Sequence, residues 1–153
     1  MSEQQPVFTI EKVYLKDLSL EIPNAPKIFT EHETPKIDIS LHNEARLLEG
    51  GVYEVVLTAT VTAKQQDKTA FLVEVAQAGI FRIESVQQQD LDALVNIVCP
   101  TTLLPYAREA VSTVLGRAGF PPVLLPHVSF EALYRQRLQE QQQGGAPPAP
   151  QAT

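Results

Sequence analysis

The chain has 153 residues, 44% of them hydrophobic, enough for one core that hides roughly 65–70% of the surface an unfolded chain exposes. Twelve Lys and Arg against 18 Asp and Glu leave a formal charge of −6, which argues against a nucleic-acid binder, because phosphate contacts need a basic footprint. One cysteine excludes an internal disulfide framework, and with three scattered histidines it makes a poor metal set.

The opening MSEQQPVF has neither a basic n-region nor an apolar h-region, so no signal peptide is expected. No apolar run approaches the ~18–20 residues that span a bilayer, so no direct membrane insertion is expected either. Together with the cysteine count, this predicts a soluble, cytoplasmic protein. From Val7 to Ile22 the even positions Phe8, Ile10, Tyr14, Leu18, Leu20 and Ile22 predict one face of a strand. Leu15, Asp17, Ser19 and Glu21 then form its outer row. Pro23 and Pro26 stop it, since proline removes a ladder donor. Lys36 to Leu41 alternates strictly, with Ile37, Ile39 and Leu41 on one side. After Gly50-Gly51, the residues Tyr53, Val55, Leu57, Ala59 and Val61 share a face. A polar turn at Gln65–Lys68 leads into a fourth run ending at Ile83, and the last two strands predict a hairpin.

The second half changes period. Leu91, Leu94, Val95 and Val98 are spaced for one helical face, which Pro100 is expected to end. Ala107, Ala110, Val111, Val114, Leu115 and Ala118 mark a longer helix, and Pro105 is tolerable in it if Thr101 or Thr102 caps the start. Gly119 to Pro126 is a proline-rich loop carrying Phe120, Val123, Leu124 and Leu125. Its apolar side chains point to burial in an oligomer, to an apolar groove under the loop, or to a loop that plugs the core. Ser129 is expected to cap a last helix with Phe130, Leu133, Tyr134 and Leu138 in one stripe. Strands first and helices second predict an α+β fold: a four-stranded antiparallel sheet followed by two to three helices packed on one face. One domain over 1–138 is expected. Residues 139–153, with five Gln, three Pro and two Gly, are expected to be a disordered tail.

Catalysis has little to work with here. A nucleophile needs an activating base beside it, and Cys99 sits in apolar company before Pro100. His32, His42 and His127 have no ligand partner at helical spacing, and no phosphate loop or metal-protease motif occurs. No catalytic residue, metal or cofactor is expected. Charge is the stronger signal. Residues 1–100 hold 15 acidic and 8 basic side chains, whereas 101–153 hold 3 and 4. An acidic sheet face carrying Asp17, Glu21, Leu72 and Glu74 suits a small basic module; an ordinary solvated face is the alternative.

Three stretches are more specific than any of these patterns: Tyr14–Pro26 (YLKDLSLEIPNAP), Ala70–Val75 (AFLVEV) with Gly79-Ile80-Phe81, and Cys99–Glu109 (CPTTLLPYARE). In order and in register from about Val7 to Leu138, the chain resembles the SecB family of bacterial protein-export chaperones. Thr101 stands where that family often has asparagine, and Ala78 where a second glycine is usual. The resemblance implies an ATP-independent holdase, a homotetramer built as a dimer of dimers, that binds unfolded secretory precursor proteins and passes them to the translocation ATPase SecA. It implies that the zinc-bearing C-terminal module of SecA docks on Asp17, Glu21, Leu72 and Glu74. It further implies a client groove drawn from Ile37, Ile39, Leu41, Leu91, Leu94, Val95, Phe120 and Leu124. A SecB-like chaperone serving an antitoxin, or an α+β interaction module with a native partner, stays open beside this reading.

Overall fold

In the computed structural model, residues 4–144 are described. Four long strands come first: β1 (Val7–Glu21), β2 (Lys36–Glu49), β3 (Val52–Gln65) and β4 (Lys68–Glu84). They form one antiparallel sheet in the order β1-β4-β3-β2, so β1 and β2 are its edges. Two tight turns set the register of the central hairpins. Gly51 takes a φ of +78° between β2 and β3, and Gln66 a φ of +55° between β3 and β4. Between β1 and β2 a short 3-10 turn (Lys27–Thr30) buries Ile28, and Asn24 Nδ2 donates to the Thr69 carbonyl at 2.9 Å.

The helices lie on one face of this sheet. Helix α1 (Gln88–Ala93) runs through a π-helical turn (Leu94–Val98) directly into α2 (Cys99–Arg117); α3 is Phe130–Gly144. The core sits between α2 and the alternate residues of β3 and β4. Val55, Leu57, Ala59 and Val61 of β3 and Val73, Val75 and Phe81 of β4 are fully buried with Leu103, Ala107, Val111 and Leu115 of α2. The period-2 pattern of the strands and the 3.6 period of α2 meet at that layer, so the α+β expectation holds with three helices.

Four expectations change. The β1 parity is interrupted by two bulges, where Glu11 and Lys16 have no partner in the ladder. A single extra residue swaps the faces of everything between the two bulges. Tyr14, expected on the core side, therefore pairs with Ala78 on the outer face. Leu15, expected in the outer row, pairs with Gln77 on the helix side. Pro100 does not end a helix. The π turn widens the spiral just before it, so the chain continues past a residue that has no N–H. Thr101 and Thr102 are not caps but interior residues whose hydroxyls donate back to the carbonyls of Ile97 and Val98. Finally, β2 runs to Glu49, well past Leu41, and α3 runs to Gly144. Residues 139–144 of the expected disordered tail are thus helical, and 145–153 lie outside the described residues. At the start of α3 the predicted cap is present: the Ala132 amide donates to Ser129 Oγ at 3.2 Å.

Candidate docking face and client groove

Ladder register places the four acidic-face candidates. Glu21 pairs with Leu72, Ser19 with Glu74 and Asp17 with Ala76, so Asp17, Glu21, Leu72 and Glu74 share the face turned away from the helices. The bulge at Lys16 is what turns Asp17 outward after Leu15 has turned inward. The same rows continue across β3 and β2. Leu72 meets Thr62, which meets Asp38; Glu74 meets Thr60, which meets Ser40. An open cleft of about 440 Å³ beside Asp38, Ile39, Ser40, Thr60 and Thr62 marks that side of the sheet.

One cluster on this face has no signature in the sequence. Glu54, on β3, is buried to 6% exposure although it is ionisable. Tyr14 donates its hydroxyl to Glu54 Oε2, while Lys16 Nζ and Arg46 Nε reach Oε1 at 2.9 and 3.1 Å. These donors hold the carboxylate charged: the Tyr14 hydrogen bond above all, then Lys16 and Arg46, depress its pKa against the opposing effect of burial. Burial, with the Glu54 hydrogen bond second, pushes the Tyr14 phenol up to about 12. One carboxylate thus ties β1, β2 and β3 together on the outer face. Only the bulged phase of β1 brings Tyr14 to it, and nothing in the hydropathy pattern announces a bulge.

The groove candidates lie on the opposite face. Ile37, Ile39 and Leu41 are half-buried on the helix side of edge strand β2. They pack against the core together with Leu91, Leu94, Val95 and Phe120. Phe120 fixes one end of this strip, its ring 4.8 Å from Phe71 and 5.0 Å from Phe29. At the other end Asn43 of β2 reaches the Val95 carbonyl at 3.0 Å. A small cleft of about 70 Å³ opens there, between Leu41, Asn96 and the Phe130, Leu133 and Tyr134 side chains of α3. Leu124 is the exception among the eight. It is 69% exposed and packs on nothing in the core, because the proline-rich loop turns Leu125 inward in its place. Arg108 Nε holds that loop by donating to the Leu125 carbonyl at 3.0 Å.

A third apolar surface runs along the other edge. Leu15 and Leu18 of β1 are exposed and border a cleft of about 190 Å³ with Ala110 and Val114 of α2. The Cys99 thiol is fully buried, and burial pushes its pKa up to about 12, so the thiolate is suppressed at neutral pH. No helix among the described residues is long and apolar enough to cross a membrane.

Known proteins match this chain across nearly its whole length. The family described as preprotein translocase subunit SecB matches residues 1–141. The protein-export protein SecB of Methylobacillus flagellatus is 61% identical over 139 residues, covering 91% of this chain and 88% of that one. That of Dechloromonas aromatica is 59% identical over 144 residues, covering 94% and 93%. Among solved structures, the SecB-like chaperone Rv1957 of Mycobacterium tuberculosis, in complex with a peptide from the HigA1 antitoxin, superposes with a TM-score of 0.66. At 19% identity over 80% of this chain and 91% of that one, it speaks for the fold alone. On these near-complete matches, the chain is a member of the SecB family of protein-export chaperones.

Proposed function

We propose that this chaperone works as an ATP-independent holdase of the cytoplasm, binding unfolded secretory precursors on the helix side of its sheet and docking SecA on the outer side. What supports the division most is the ladder register, which puts Asp17, Glu21, Leu72 and Glu74 on one face and Ile37, Ile39 and Leu41 on the other. Docking chemistry is then separate from capture chemistry. Carboxylates around a lone leucine suit a compact cationic module, here the C-terminal module of SecA. The apolar strip suits an unfolded chain, whose exposed side chains contribute ~25 cal/mol for each Å² they bury. A folded protein hides those side chains and is passed over. The action is binding and release, with no catalytic step.

One strip binds weakly, so tetramer formation belongs to the same proposal. The exposed Leu15 and Leu18 beside Ala110 and Val114 offer an apolar edge for a second copy. Several strips on one tetramer turn later contacts into intramolecular ones and raise avidity by roughly 10²–10⁴. Service to a dedicated partner such as an antitoxin would not need the acidic row, and here the row is intact.

The test is a refolding-arrest assay. A denatured, slow-folding secretory precursor is diluted into buffer with and without this protein, no nucleotide added, and its native signal is followed. Recovery that stalls near one tetramer per client is the expected result. Recovery at the unassisted rate refutes the holdase and points to a native partner instead.

A further inference from the structure

We propose that Asn43 is a positioning residue that clamps the strand wall of the client groove to its helical wall, by taking a carbonyl that Pro100 leaves without a donor. The clamp rests on the groove reading above and deepens it. In the π-helical turn the Cys99 amide donates to the Leu94 carbonyl, five residues back. An N–H at position 100 would be the last that could reach back to the Val95 carbonyl in that pattern, or to that of Asn96 in the α pattern of α2. Residue 100 is proline and has no N–H, and the Cys99 amide is already engaged. The Val95 carbonyl is therefore left over inside a partly buried contact, where an unmatched acceptor is unfavourable.

Asn43 fills the gap from outside the helix. Its Nδ2 donates to Val95 O at 3.0 Å across 52 residues of sequence. Only the amide nitrogen can serve a carbonyl, so the other end of the side chain is also determined: Oδ1 is buried with no partner among the described residues. The bond joins two half-buried segments. On one side Asn43 follows Ile39 and Leu41 by alternation on the same face of β2. On the other, Val95 sits beside Leu94 in the turn that packs on the core. Pro100 itself is fully buried, so the helix cannot swing to find water for its spare carbonyl. Proline and asparagine thus act as one device: the first withholds a donor, and the second supplies it from the edge strand. That bond adds a directional link between the two groove walls to the side-chain packing that already joins them.

The test is a double-mutant cycle on the full chain, with Asn43→Ala and Asn43→Leu bracketing the volume of the side chain and Pro100→Ala restoring a backbone N–H at position 100. Each variant is read by amide hydrogen exchange over residues 37–43 and 94–100, and by capture of a denatured precursor. Losing the donor should speed exchange in both segments and weaken capture about five- to tenfold, as expected for a stranded acceptor. In the Pro100→Ala background the same Asn43 substitutions should lose most of that effect, because the restored N–H at position 100 can serve the Val95 carbonyl. Equal effects in both backgrounds would overturn the clamp, since mere loss of packing is additive. Should Asn43→Ala fail to fold, Asn43→Leu removes the same bond without leaving a cavity. If exchange responds as expected while wild type captures no precursor, the groove role is refuted and the holdase reading with it; if wild type captures and exchange does not respond, the clamp alone fails.

Discussion

Replacing Glu54 by glutamine tests the cluster that ties three strands on the same face as the proposed docking row. The substitution keeps the shape, removes the charge and leaves one acceptor oxygen where two had served Tyr14, Lys16 and Arg46. The bond from the Tyr14 hydroxyl to a buried carboxylate is the large contribution, about 1.5–3 kcal/mol for a hydrogen bond to a charged group. Lys16 and Arg46 are 42% and 67% exposed, so solvent screens them and each adds only about 0.2–1 kcal/mol. Because glutamine retains part of this, the expected loss is about 2 kcal/mol at pH 7. For a chain of this length that lowers the melting temperature by roughly 4–8 °C. Thermal unfolding followed by circular dichroism, at one fixed protein concentration so that the proposed self-association would be held constant, measures it directly. The pH dependence gives the sign. The Glu54 pKa is lowered from its ordinary 4.5, so its contribution is complete above about that pH and is lost as pH falls through the depressed folded value. The gap between wild type and variant should therefore be constant from pH 6 to 8 and close in acid. A gap below ~0.5 kcal/mol at pH 7, or one that widens in acid, would refute the assignment of Glu54 as the tie.

Two further substitutions probe the two faces. Glu74→Lys reverses an exposed charge among Asp17 and Glu21 and should weaken SecA binding about tenfold at low salt, with the loss shrinking as salt rises; capture of precursor should not change. Equal loss of capture, measured in the same titration, would remove the separation of faces. Ile39→Asp puts a charge on the half-buried side of β2 and should cut precursor capture at least tenfold while SecA binding stays within about twofold. Unaltered capture would take β2 out of the groove.

The sheet is legible in the sequence wherever one face is buried. β3 from Val55 to Ala63 and β4 from Phe71 to Gln77 alternate because α2 covers one side of them and leaves the other half-buried or exposed. β1 defeats the same rule because Glu11 and Lys16 are extra residues, and a polar residue inserted in an exposed edge leaves no mark in composition. The far half of β2 escapes the pattern for a related reason. Beyond Leu41 the helices cover little of it, so Ala45 and Leu47 on the helix side are exposed, and with the polar Asn43 before them the apolar alternation fades. Pro100 reads as a stop because proline ordinarily is one; a π turn that dispenses with its donor depends on packing that no local rule contains. The acidic candidates emerge together because Asp17, Glu21, Leu72 and Glu74 obey a period of two after the last bulge. Leu124 is misplaced by sequence reasoning because, in a loop, neighbours such as Leu124 and Leu125 have no period to separate them.

The middle of the outer face is built from short side chains. Ala76 and Thr58 lie between Asp17 and the edge, and Thr60, Thr62, Ser40 and Ser19 occupy the neighbouring rows. Alanine has no rotamers to lose on contact, and serine or threonine few, whereas a surface lysine or glutamate loses up to ~1.5–2 kcal/mol when fixed. Beyond Glu21, Leu72 and Glu74 themselves, a partner laid on this face therefore freezes little beneath it, and much of the entropic burden of docking falls on the partner. Ordering of the incoming module, rather than of this sheet, should dominate how fast it settles and how readily it leaves.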